Sequence, residues 1–388
     1  MHNPTDRLSP TDRATGWLRR RLGRAMALAY VLALMAPGPG LWLRHAHGLP
    51  LDGTHELPLP STSLLLGLVL FSAGLQVPAQ ALGQLLRRPR TLLAGLVLHV
   101  LAPLLIIPLV AFLLRWTPDS DGGSGLITAM IMLLAMPVAA GATVWTGKGQ
   151  GDQPTMVGLV LVSTLLSPLT LPVTVQALAP LLHGEYVGTV EAAGQTANSG
   201  FTLTGVVLPC AAGLACRLVM TRPGLARPGL ARRGLARPGR ARRGPSRPGL
   251  ARPWLSRLLS AVVPTAMLGS LVLTYANAAG ALGSFLAHPR PLLLTAALAV
   301  AAVVCTLSFA TGRIAARVLR LDAPAASSLT LACGMNNSSA SAVLITNALP
   351  DKPHLLLPVL AYGLLQKTAA NRVVRVHPRL PPPGSRPG

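Results

Sequence analysis

Acidic residues are scarce in this chain, and cysteines scarcer. Only eleven Asp and Glu stand among 388 residues, and each falls in an expected loop or tail, never inside a long apolar run. A cation held in low dielectric gains greatly from one fixed negative charge. A buried carboxylate site for a metal or alkali ion is therefore excluded, leaving backbone carbonyls, Asn and Thr as hard oxygen ligands. The four cysteines (Cys210, Cys216, Cys305, Cys333) make no close CxxC pair, which argues against a disulfide framework or a zinc site. Cys333 reads first as a small helix-packing residue. No serine has a GxSxG context, so a hydrolase pairing His99 with a membrane serine lacks an oriented nucleophile. Charged residues of all kinds make up 12% of the chain, about half the share in an average soluble domain.

Long apolar runs are present instead. About 20 apolar residues suffice to cross a bilayer, and ten segments qualify: 25–43, 61–86, 91–114, 125–146, 153–182, 192–216, 258–287, 291–312, 323–350 and 353–371. Pro37-Gly38-Pro39-Gly40 interrupts the first. The basic stretch Arg19 to Arg24 followed by Ala25–Ala36 is also a signal-peptide pattern. A retained first span is expected, because no small-residue cleavage site follows and nine spans would break a five-plus-five symmetry.

Charge orients the spans. With the N-terminus inside, 29 of the 34 Lys and Arg lie on the inner side and four on the outer, with Lys367 inside the last span. Retained Lys and Arg mark the cytoplasmic face, so both termini are expected in the cytoplasm of a bacterial-type inner membrane. The net charge of +23 is not a nucleic-acid signal. Ten arginines belong to one insert, 222–252, made of pentads such as Arg222-Pro223-Gly224-Leu225-Ala226. Regular Pro and Gly prevent helix or sheet, and like charges extend the segment. It reads as an expanded repeat in a tolerant loop, or as a tether to anionic membrane lipid. The chain then divides into an N-tail (1–24), a first five-span repeat plus a sixth span (25–216), an Arg/Pro/Gly-rich loop (217–257), four further spans (258–371) and a C-tail (372–388).

Two polar breaks interrupt the apolar pattern at equivalent places in the two halves. One runs from Pro137 through Gly141-Ala142-Thr143-Val144-Trp145-Thr146-Gly147 to Asp152, and the other is Ala332-Cys333-Gly334-Met335-Asn336-Asn337-Ser338-Ser339. An unwound backbone is tolerated in a bilayer only where it lines a cavity or is buried in protein. Paired breaks point to the central site of a membrane carrier. Candidate substrate contacts are Thr143, Trp145 and Thr146 in the first break and Asn336, Asn337 and Ser338 in the second. Interhelical hydrogen bonding that only holds the bundle is the other reading of these residues. Ser163, Thr164 and Ser167 either ligate directly or bond back to their own helix around Pro168 and Pro172.

These segments resemble the bile acid:sodium symporter family. Met136-Pro137 through Trp145-Thr146 and the run Ser163-Thr164-Leu165-Leu166-Ser167-Pro168-Leu169-Thr170-Leu171-Pro172 are similar to its fourth and fifth helices. Gly334-Met335-Asn336-Asn337-Ser338 is similar to its ninth-helix signature, with weaker matches at Phe71-Ser72-Ala73-Gly74-Leu75 and Arg88-Pro89. The resemblance implies an all-α membrane protein with ten transmembrane helices as two inverted five-helix repeats, helices 4 and 9 breaking and crossing at mid-membrane. It implies secondary transport of a small organic anion by alternating access, without a cofactor or nucleic-acid partner. A related arsenite-type efflux permease would place a cysteine in the first break, and residues 136–147 have none. A membrane protein that binds its ligand without moving it is a third reading.

The ion-coupling positions implied by the resemblance fall on His99, Thr143, Met335 and Asn336. Ala332 stands where relatives carry a glutamate, His99 where they carry a glutamine, and Met156 and Val160 where they carry hydroxyls. Sodium coupling is accordingly expected to be weak, with a proton at His99 or the charge of Lys367 in its place. By ungapped spacing Lys367 matches a substrate-facing asparagine. Its side chain either points into the crossing or snorkels to the cytoplasmic interface.

Overall fold

The computed structural model describes residues 24–376 apart from 45, 51–55, 79–82, 84–88, 116–122, 222–252 and 288. The Arg/Pro/Gly insert, residues 1–23 and residues 377–388 lie outside the described residues, as does Arg88 of the Arg88-Pro89 motif.

The chain is almost wholly helical. Helix α1 (Arg24–Met35) turns through 95° into α2 (Pro37–Arg44), because Pro37 has no N–H to continue the ladder. A short antiparallel hairpin that the sequence reading did not anticipate, β1 (Ala46–Pro50) with β2 (Glu56–Pro60), leads into α3 (Ser61–Leu75). Then follow α4 (Pro89–Leu114), α5 (Ser124–Leu134), α6 (Ala142–Lys148) and α7 (Gln153–Leu178). Next come α8 (Tyr186–Thr196), a π-helical stretch Ala197–Val207, and α9 (Leu208–Thr221). The last group is α10 (Pro253–Ala287), α11 (Pro291–Val318), α12 (Ala323–Gly334), α13 (Ser338–Ala348) and α14 (Leu356–Val376).

Among the described residues five helices are long and apolar enough to cross a membrane, or six if the bent pair α1–α2 is one span. Two of the other expected spans are divided. Segment 125–146 becomes α5 and α6, and 323–350 becomes α12 and α13, each split at its polar break. Segment 61–86 gives the 15-residue α3. The helix α14 is long enough, but its lower half carries Lys367, Arg372 and Arg375.

Small residues bring the helices together, as expected where lipid removes any hydrophobic drive between them. A Cβ on Gly74 of α3 would overlap the Cys210 carbonyl of α9, and one on Gly213 of α9 would overlap the Phe71 carbonyl of α3. The first helix is packed into the bundle. Ala33 is buried with Ala278 and Ala279 of α10, and the Tyr30 hydroxyl donates to Leu360 O at 3.2 Å. The Tyr275 hydroxyl takes up Ala36 O beside the bend. Large exposed side chains such as Leu93, Leu105, Leu169 and Leu292 lie on outward faces, as lipid contact requires.

Candidate functional site

The two breaks lie side by side and satisfy each other's backbone. Ala139 N–H donates to Met335 O at 2.8 Å and Asn337 N–H to Pro137 O at 3.0 Å, a two-residue antiparallel bridge pairing Val138 with Asn336. Val138 N–H donates to the Ser163 hydroxyl at 3.1 Å. Each break thus leaves backbone groups that a helix would have paired, and the opposing break or a neighbouring side chain pairs them. That is the accounting a buried, water-poor site demands.

The second break has its own devices. Asn337 caps α13, its Oδ1 accepting from Ala340 N–H at 3.1 Å. In an unbroken helix Gly334 O would accept from Ser338 N–H, but that donor turns to Asn336 O at 2.9 Å. The Tyr362 hydroxyl fills the vacancy, donating to Gly334 O at 3.0 Å and accepting from Asn336 Nδ2 at 3.2 Å. Tyr362 is fully buried and Asn336 nearly so. Gly334 is small for a further reason: its Cα lies against the Phe309 ring, which a Cβ would overlap.

In the first break Thr143 and Thr146 bond back, Oγ1 donating to Ala140 O at 2.8 Å and to Ala142 O at 3.0 Å. Thr146 is buried, Thr143 and Trp145 half-buried, and the Lys148 ammonium sits 4.5 Å from the Trp145 ring centroid. Gln153, at the start of α7, donates to Thr143 O at 2.9 Å and ties α6 to it. The α7 hydroxyls also serve backbone. Ser167 donates to Thr164 O at 2.7 Å, the carbonyl that Pro168 leaves without an N–H. Thr164 and Ser163 both donate to Val160 O.

A small cavity of about 10 Å³ borders the bridge, lined by His99, Ala102, Pro103, Leu134, Ala332 and Asn336 among others. Its volume is at the lower limit for one water. Three positions singled out by sequence (His99, Ala332, Asn336) therefore meet in space although 237 residues separate the first from the last. Met335 is buried beside them, held through its carbonyl. His99 is half-buried and makes no hydrogen bond to a described residue. Met156 and Val160 are buried apolar groups, so α7 offers no side-chain oxygen at those two positions.

Lys367 does not point to the breaks. Its Nζ lies 2.8 Å from Met26 Sδ near the start of α1. The neighbouring Gln366 faces the second break instead. It is 2% exposed, donates from Nε2 to Ser338 Oγ at 3.3 Å, and has no partner for Oε1 among the described residues. One residue along a helix is a rotation of about 100°, so Gln366 and Lys367 meet different neighbours. Tyr362, Gln366 and Gln153 were not read from sequence. The i, i+4 spacing of Tyr362 and Gln366 within an apolar helix was the available signal for two of them.

With this geometry stands a family match: the model of the Sodium Bile acid symporter family covers residues 63–288, more than half of the chain. The chain belongs to that family. No curated protein matches it. Family members are transporters and not enzymes, so the protein is a multi-pass membrane transporter of a small solute. The paired breaks are its candidate substrate region. The end of α12, the start of α13 and the unwound carbonyls converge there, as at the discontinuous helices of transporters.

Proposed function

We propose that this family member is a secondary-active transporter moving a small organic anion, a bile-acid-like or other carboxylate, by alternating access. Its spans would number ten, as two inverted five-span repeats with both termini cytoplasmic in the inner membrane. The observation that carries the reading is the stitched pair of breaks, since a carrier needs non-helical backbone at its centre with every group satisfied. Asn336, Asn337 and Ser338 would contact substrate from one side and Thr143, Trp145 and Thr146 from the other. Gln366, whose buried Oε1 has no partner among the described residues, joins them. The positive end of α13 supports an anionic substrate group near Ser338.

Sodium coupling would be weak. The cavity beside Asn336 has an imidazole and a methyl group where the family resemblance expects Gln and Glu, and no Asp or Glu is among its described lining residues. A proton on His99 is the alternative coupling ion. Purified protein in proteoliposomes, given a panel of carboxylates with sodium or choline outside, tests both parts. Uptake of at least one carboxylate with little sodium dependence is expected. A steep sodium requirement would overturn the coupling argument, and failure of every carboxylate would overturn the substrate class.

A further inference from the structure

A second cavity, of about 390 Å³, opens at the end of α11, away from the paired breaks. Its lining includes Arg313, Arg317, Arg320, Leu321, Thr330 and Val373. The volume is within the range of small-ligand sites. Arg313 and Arg317 lie one turn apart on α11, and Arg320 follows two residues after its end. None makes an ion pair with a described residue, and no Asp or Glu is among the described lining residues. Thr330 has already given its hydroxyl proton to Ala326 O. Three arginines therefore line one concavity with no carboxylate among its described lining residues.

Two further features separate this from a row of surface charges. The adjacent stripe of α11 is apolar and outward, with Ile314 59% and Val318 74% exposed. Arginine and lipid-facing surface thus meet on the same two turns. The backbone is also bent to bring in the third arginine. Arg320 N–H donates to Arg317 O and Leu321 N–H to Ala316 O, both at 3.0 Å, the paired bonds that end a helix through a left-handed residue. That residue is usually glycine, and here it is Arg320 with φ 49°. A topology signal requires arginines only somewhere on the inner side. It does not require them on one cavity, or at a strained position.

We propose that this cavity holds the phosphate headgroup of an anionic phospholipid from the inner leaflet, with its acyl chains along Ile314 and Val318. Basic pockets between helices on the cytoplasmic side have the chemistry for such headgroups, and Arg matches phosphate oxygens in a bidentate fork. The proposal does not depend on the transported substrate.

The test is thermal unfolding of the full-length protein in neutral detergent, titrated with phosphatidylglycerol, phosphatidylcholine or inorganic phosphate. Phosphatidylglycerol should raise the midpoint and phosphatidylcholine should not. In R313Q/R317Q/R320Q the apparent affinity for phosphatidylglycerol should fall at least about tenfold. The variant R232Q/R233Q/R240Q removes the same charge from the insert and should respond like wild type. Equal loss in both variants would mean attraction by net charge and would overturn the site. A full shift with millimolar inorganic phosphate, lost only in R313Q/R317Q/R320Q, would overturn the lipid assignment in favour of a soluble phosphate. Arg320→Gly guards against a misfolded triple variant. Without lipid it should be at least as stable as wild type, yet shift less with phosphatidylglycerol. A lower starting midpoint with an undiminished lipid shift would refute the proposal.

Discussion

Replacing Tyr362 with Phe probes the joint between α14 and the second break. The ring stays, so little cavity forms, and only the hydroxyl is lost. That hydroxyl serves two buried groups, donating to Gly334 O and accepting from Asn336 Nδ2. A buried polar group left without a partner costs about 1–3 kcal/mol, while interhelical bonds in bilayers average only about 0.6 kcal/mol because partners re-pair. The helix's own donor cannot re-pair Gly334 O, since Ser338 N–H is committed to Asn336 O. Re-pairing is open to the Asn336 amide, which borders the small cavity. The expected loss is therefore about 1.5–3 kcal/mol, most of it from the carbonyl. Thermal unfolding in detergent of wild type, Tyr362→Phe, Asn336→Ala and the double variant measures it. The double-mutant cycle should give a coupling of about 0.5–1 kcal/mol. A loss below about 0.5 kcal/mol for Tyr362→Phe would refute the argument that the broken helix depends on this hydroxyl.

Three other outcomes follow from named contacts. Asn337→Ala should reach the membrane, lose about 1 kcal/mol with its helix cap, and transport poorly. Asn337→Ser should recover the stability but not the flux, and equal flux in all three would make Asn337 a cap alone. Replacing 222–252 by a short Gly-Ser linker should leave insertion and transport intact. The flanking helices are already neighbours, Met220 clustering with Leu258 and Val262, and loop length weighs little on stability. The third concerns His354, whose Nε2 lies 3.2 Å from the Tyr186 hydroxyl. Burial, then Lys352 and Arg290, hold its pKa below the ordinary 6.5, against Glu185. The folded state thus prefers neutral imidazole. Its contribution is present above pH 6.5 and is lost as pH falls through 6.5 towards the lowered value. His354→Gln should flatten the unfolding midpoint between pH 7 and pH 5, and an unchanged slope would count against it.

The sequence by itself determined the medium and the positions of the breaks. Scarce charge and long apolar runs require lipid, and polar Gly- and Asn-containing stretches inside such runs require burial against protein. Both are one-dimensional facts about composition and spacing. It offered back-bonding around Pro168 as one of two readings of the α7 hydroxyls, because a missing N–H and an adjacent hydroxyl are local. The tertiary structure decided which residues meet. Pairing Val138 with Asn336 joins chain segments nearly 200 residues apart, and no periodicity encodes that register. It also decided that Gln366 rather than Lys367 faces Ser338, since a helix's rotation is fixed by its neighbours. Tyr362 and the arginine cavity were illegible for the same reason. Each depends on an orphaned group or an empty space that exists only once other helices have packed around it.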